Sequence, residues 1–240
     1  MYPIIAQNRQ HLHLVVREEI KAYGEKCNLN RIDVSNITDM EGIFSHLSFN
    51  GDISEWDVSN VKNMSNLFYR CYFNSDISKW NTSAVENMSG MFFDSKFKSD
   101  ISNWDVSKLK NARSMFSCSK FNGDISNWDV SSLEDMGYMF AYSKFNGDIS
   151  KWNVSKVKNM DLTFNQSKLT CDISKWTPYD LESLLDTFKK VCIDIPYWAN
   201  YQDTNERLMA IKSYVLENGL VKELNQELNN TSNILKKMKI

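Results

Sequence analysis

Glycine and proline are scarce: 8 Gly and 3 Pro in 240 residues. No GxGxxG or P-loop is present, and the glycine-rich nonapeptide of calcium β-rolls is missing. Histidine is equally sparse, at three residues, and neither HExxH nor GxSxG occurs, so nothing supplies a nucleophile, a base and an oxyanion donor together. The five cysteines, Cys27, Cys71, Cys118, Cys171 and Cys192, are odd in number and lack CxxC spacing. They are expected to be free thiols rather than a disulfide framework or a zinc site. Charge of one sign is lacking too: 28 Lys+Arg stand against 30 Asp+Glu, which gives no pull toward nucleic acid or an anionic membrane. No apolar run approaches the roughly 20 residues that span a bilayer. Residues 1 to 20 have no basic start followed by an apolar core, so no secretory signal is expected. Together with the free thiols, this points to a cytoplasmic location, with surface display left open.

What is abundant is periodic. Six of the 7 Trp, at Trp56, Trp80, Trp104, Trp128, Trp152 and Trp176, recur every 24 residues, and Trp198 stands out of step. The block from Asp52 to Ser75, DISEWDVSNVKNMSNLFYRCYFNS, recurs as DISKWNTSAVENMSGMFFDSKFKS and DISNWDVSKLKNARSMFSCSKFNG. Seven such units cover 28 to 195 with no insertion or deletion, the first carrying Ile32 in place of Trp. Strict phasing of this kind places equivalent side chains in register along one continuous core, as in a solenoid.

Within a unit, Ile53, Trp56 and Val58 give the spacing IxxWxV, whose last two members alternate around Asp57 as a short half-buried strand does. Val61, Met64, Leu67 and Phe68 then follow a helical spacing, with Ser59 placed as an N-cap. The fold class expected is an α/β solenoid: about seven leucine-rich-repeat-like units of strand and helix or 3₁₀ segment, with helical caps. The domains expected are an N-terminal helical cap at 1–27, the repeats at 28–195 and a C-terminal helical cap at 196–240.

The pattern D-I-S-x-W-D-V-S-x-V-x-N-M-x-x-M-F-x-x-x-x-F-N-x resembles the bacterial BspA-type leucine-rich repeats. That resemblance implies a curved parallel-sheet solenoid, commonly exported or lipoprotein-anchored and used for adhesion or protein binding. The chain departs from exported members in lacking a signal segment. In a leucine-rich-repeat geometry, the residues beside each inward Trp face an exposed concave sheet. Glu55, Asp57, Lys79, Asn81, Asn103, Asp105, Asn127, Asp129, Lys151 and Asn153 are therefore the candidate partner-binding stripe. An alternative is a solvated ladder whose side chains satisfy only neighbouring units. Sequence variation is greatest on the outer segment, Tyr69, Arg70 and Tyr72 against Phe93, Asp94 and Lys96, which leaves the convex side open as a contact surface.

The Asp that opens each unit, at Asp52, Asp76, Asp100, Asp124, Asp148 and Asp172, suits a turn better than a calcium ligand, because no EF-hand pattern converges the oxygens. No cofactor and no metal is expected. At the ends, residues 7 to 23 form a helix that stops at Gly24, Asp203 and Glu206 read as a capping box, and Leu208, Ile211 and Val215 form a helical stripe. Val221, Leu224 and Leu228 make a second stripe beyond Gly219, and the basic residues of 236 to 239 read as a solvated tail. The function expected is a non-enzymatic module that binds another protein, with a homo-oligomer through 196–240 left open. An inhibitor or effector that masks a target enzyme, and an adhesin-like surface protein, are the other readings.

Overall fold

The computed structural model describes residues 3–237, with side chains up to residue 229. It divides into two compact units, Met1–Ile195 and Pro196–Ile240. The tail expected at 236–239 lies outside the residues whose side chains are described.

The larger unit opens with a two-residue strand, β1 (Ile4–Ile5), and a helix, α1 (Arg9–Tyr23). Asn8 caps α1 by accepting from the His11 N–H, and Gly24, at φ 88°, ends it by donating its N–H to Ile20. Leu12, Val15 and Val16 are buried on one face of α1, as their spacing dictates. Strand β1 was not foreseen. It pairs in parallel with β2 (Ile32–Asp33), with Ile4 opposite Ile32. Arg31 then holds the half-covered face of α1 through two bonds to Glu19, at 3.0 and 2.5 Å.

From Val34 to Ile195 the chain has neither helix nor extended strand. The strand expected at Ile53–Val58 and the helix expected from Val61 are both replaced by turns, although Trp56 and Val58 are buried around an exposed Asp57 as predicted. Ser59 caps no helix; its own N–H is bound by the Asp57 carboxylate at 3.0 Å. Parallel pairing falls elsewhere, on the column Asp39, Asn63, Asn87, Asn111, Asp135, Asn159 and Ser183. Beyond that column, alternate N–H groups leave the unit: Met64, Asn66, Phe68 and Arg70 donate to the carbonyls of Asn87, Ser89, Met91 and Phe93 at 2.8 to 3.0 Å. The intervening N–H groups of Leu67, Tyr69 and Cys71 close four-residue turns onto the carbonyls of Met64, Asn66 and Phe68.

A helix cannot form there because two residues per unit have positive φ. Gly42, Asn66, Gly90, Ser114, Tyr138, Leu162 and Asp186 share one column, and His46, Arg70, Asp94, Cys118, Tyr142, Gln166 and Lys190 share the other. The left-handed region strongly penalises Cβ branching. Neither column contains Val, Ile, Thr or Pro.

Side chains stack where the backbone pairs. The Trp column is buried, with Trp80 and Trp104 ring centroids 6.4 Å apart and Trp152 and Trp176 6.5 Å apart. Phe68, Phe92 and Phe116 form a second column at 5.6 and 5.7 Å, and Phe73, Phe97 and Phe121 a third at 6.3 and 6.2 Å. Each indole N–H is satisfied across a unit boundary, as when Trp80 donates to the Ile53 carbonyl at 3.1 Å. The core is therefore aromatic with almost no orphaned polar group, which is what burial of Trp requires.

The second unit holds a 3₁₀ turn at Tyr197–Asn200 and one long helix, α2 (Thr204–Lys237). Asp203 accepts from the N–H groups of Asn205 and Glu206 at 2.8 and 3.0 Å, which is the N-cap half of the expected capping box. The two stripes expected on either side of Gly219 belong to this single helix. Among the described residues, no helix is long and apolar enough to cross a membrane.

Candidate interaction surface

The two faces singled out by the sequence differ in how much of their chemistry is already used. Beside the Trp column, Glu55, Asp57, Lys79, Asn81, Asn103, Asp105, Asn127, Asp129, Lys151 and Asn153 are all exposed. The five that follow a Trp, however, each have an oxygen tied to the backbone N–H two residues on. Asp57 holds Ser59, Asp105 holds Ser107 and Asp129 holds Ser131 at 2.9 to 3.0 Å, and Asn81 and Asn153 hold Ser83 and Ser155 at 3.2 and 3.1 Å. These are turns within one unit, not bonds to the neighbouring unit. The serine hydroxyl and then the backbone N–H hold Asp57, Asp105 and Asp129 below the ordinary carboxylate range.

Two further turns of the same kind recur per unit. Asp52 accepts from the Ser54 N–H and hydroxyl at 3.0 and 2.8 Å, and Asn63 accepts from the Ser65 N–H at 3.0 Å. The Asp that opens each unit is therefore spent on its own turn. Among the described residues, no group of three His, Cys, Asp or Glu side chains is placed to hold a metal ion.

The opposite case is the ribbon of turns from Ser65 onward, whose outward side chains change from unit to unit. Their backbone is fixed by the ladder, so the side chains are displayed without bearing on the fold. His46 lies against Tyr69 with centroids 5.3 Å apart, and Tyr69 stacks on Phe93 at 4.8 Å. The Arg70 guanidinium sits 5.5 Å from the Tyr69 ring and 5.9 Å from that of Phe93, while its Nε reaches Asp94 at 3.5 Å. Arg113 lies 4.9 Å from the Tyr138 ring. Arginine over stacked aromatics is rigid, amphipathic and energetically favourable to bury.

This ribbon meets α1 in a groove of about 580 Å³ lined by Arg9, His13, Glu41, Ser45, His46 and Tyr69, among others. A second depression of about 300 Å³ continues from Asn66 and Tyr69 past Gly90 and Phe93 to Arg113 and Ser114. Gly42 and Gly90, at the positive-φ column, leave the floor low along this path. Arg9 is engaged by Glu41 and by Asp39, the latter at 3.4 Å. Burial, with Arg17 and Arg9 nearby, lowers the His13 pKa below its ordinary 6.5, and His13 Nε2 accepts a bond from Arg17. The groove is thus polar but close to charge-balanced, with cations already paired.

Sequence reasoning did not bring His13 and His46 together, since one lies on a helix and the other in the degenerate first unit. The signal that was available was variation at the position of Tyr69 and Phe93 within otherwise repeated blocks.

A family model described as Mycoplasma protein of unknown function, DUF285, matches twice, over residues 18–120 and 93–198. No curated protein and no solved structure matches the chain.

Proposed function

Because the chain belongs to the DUF285 family of Mycoplasma proteins, a repeat family without an assigned chemistry, we propose its function from its surface: a non-enzymatic module that binds another protein. Its seven units act as a leucine-rich-repeat-like solenoid of the BspA type, and the contact surface is the ribbon of turns rather than the stripe beside the Trp column. One observation carries this reading. In the stripe, the Asp and Asn that follow each Trp have an oxygen committed to a local turn, whereas Tyr69, Arg70, Phe93 and Arg113 form a contiguous aromatic and guanidinium surface along a groove. Tyr and Arg dominate the energetics of protein contacts because they bury large areas with little loss of side-chain freedom. Nucleic acid is a poor fit, because the cations of this face have acidic neighbours at Glu41, Asp94 and Asp135.

The test compares two variants of the full chain. One carries Tyr69→Ala, Arg70→Ala, Phe93→Ala and Arg113→Ala; the other carries Asp57→Ala, Asp105→Ala, Asp129→Ala and Lys151→Ala. A photo-crosslinking residue at Ser114 identifies the protein retained in the native cell, and its affinity is then measured with purified components. Loss of at least tenfold for the first variant and little for the second supports the reading. The reverse pattern assigns the stripe instead, and the absence of any crosslinked protein overturns the ribbon as a protein contact.

A further inference from the structure

Helix α2 ends the described chain in a long exposed stretch. Every side chain from Val215 to Asn229 is exposed. The stretch contains Asn218, Gly219, Asn225 and Asn229, all poor helix formers, among Leu, Glu, Lys and Gln residues that favour a helix, and a helix of this length is marginal in water by propensity alone. In globular proteins a helix of this composition is normally held by a partner on its apolar face.

That face is present. Met209, Leu216, Leu220, Leu224, Leu228 and Val221 are 51 to 68% exposed. At 100° per residue they fall within one arc of about 140°. Leu216, Leu220, Leu224 and Leu228, each four residues after the last, form a single ridge of the kind that packs helix against helix. A shallow crossing of about +20°, in which the ridges of one helix fill the grooves of the other, keeps the whole stretch in contact. Two identical helices bring the same ridges and grooves to such a crossing.

We propose that this face of α2 is the self-association surface of the protein, and that its occupant is α2 of a second copy. Six side chains at roughly 100 Å² each offer about 600 Å² per helix and about 1,200 Å² in a symmetric pair, the lower end for a specific, reversible contact. The flanking charges, Glu217, Lys222, Glu223 and Glu227, are of mixed sign and do not oppose the approach of a second copy as a block of one sign does. The association is independent of the ribbon of turns.

Sedimentation of the full chain over a concentration series tests it. A monomer–dimer equilibrium is expected with a midpoint on the order of 10 µM. Leu220→Lys with Leu224→Lys shifts the midpoint upward by at least tenfold, whereas Tyr69→Ala with Phe93→Ala leaves it in place. Circular dichroism and Trp fluorescence of the lysine variant guard against simple unfolding. A second variant, Leu224→Cys in a Cys118→Ser, Cys192→Ser background, is expected to crosslink to itself on oxidation by a small disulfide reagent. A chain that stays monomeric throughout overturns the proposal. So does a dimer indifferent to the lysines, or a helix that binds neutral lipid vesicles instead of its own copy.

Discussion

The indole N–H of Trp104 donates to the carbonyl oxygen of Ile77, 3.1 Å away and in the preceding unit. One bond thus does two jobs: it satisfies a buried donor and ties one turn of the repeat to the turn before it. Trp104 is also 3% exposed and stacked on Trp80. Trp104→Ala is therefore expected to cost about 3–5 kcal/mol, as the loss of a large core ring does. Trp104→Phe keeps a ring but removes the indole bond, leaving the Ile77 carbonyl with the Trp80 N–H alone, and about 1 kcal/mol of loss is expected there. Urea unfolding followed by fluorescence of the remaining Trp measures both; an unchanged midpoint for Trp104→Phe shows that the bond contributes nothing.

Positive φ at non-glycine residues makes a prediction of opposite sign. Gln166 has φ 54° and an exposed side chain, while its N–H is kept in the ladder by the Lys189 carbonyl. Glycine there relieves about 1–2 kcal/mol of left-handed strain against a smaller entropic loss, so Gln166→Gly raises stability by about 0.5 kcal/mol. Valine is the worst choice, and Gln166→Val lowers it by about 2 kcal/mol. The two unfolding midpoints should lie on opposite sides of the native one.

The turn aspartates give the protein an acid sensitivity of known sign. Asp52, Asp76, Asp100, Asp124, Asp148 and Asp172 all lie below the ordinary 3.8, held there first by the backbone N–H and then by the hydroxyl of the serine two residues on. Protons therefore bind the unfolded chain first. The contribution is complete above the ordinary value and is lost as pH falls through and below it. Each exposed group contributes little, but they act together. Urea midpoints measured from about pH 6 to about pH 2 should be flat at first and then decline. Asp105→Asn with Asp129→Asn should flatten the decline while leaving stability at neutral pH nearly unchanged, because asparagine already serves this turn at Asn81 and Asn153.

Thiol reactivity should sort by burial. Desolvation pushes the Cys71 pKa up to about 11, and burial raises that of Cys27, whereas Cys118 and Cys192 are exposed. Alkylation of the native protein near pH 8 should modify Cys118 and Cys192 within minutes and leave Cys71 for the unfolded state. Mass spectrometry of the digested protein reads this directly, and early modification of Cys71 contradicts its placement.

The repeat length, the unit boundaries and the inward Trp and Phe positions could be read from sequence because apolar residues recur at fixed intervals whatever the backbone does between them. The course of the backbone could not. Val61, Met64 and Leu67 have helical spacing, but that spacing also fits a ribbon whose turns close from one residue to the third after it, with every other N–H passed to the next unit. The deciding information lay in an absence: Asn66, Ser114, Tyr138 and Leu162, so unlike in character, share only the lack of a branched Cβ. The candidate surface was partly legible, since Tyr69, Arg70, Phe93 and Asp94 stood out as variable. The joining of Tyr69 with Arg9 and His13 was not, because it depends on α1, which lies outside the repeat.

The ladder has a direction. Met40 donates to Asn63, Met64 to Asn87 and Met88 to Asn111, and at the far end Met160 donates to Ser183. Within the ribbon of turns every internal unit thus presents acceptors to the one before and donors to the one after, while the Trp indoles and pairs such as Glu86 and Asn87 donate the other way, and the same set recurs at each internal boundary. A gene that gains or loses one whole unit changes the length of the array by a single step of roughly 4.8 Å and leaves every other boundary as it was. The displayed side chains, in contrast, gain or lose one row. Reach and specificity can therefore be altered by copying, with the core composition held constant.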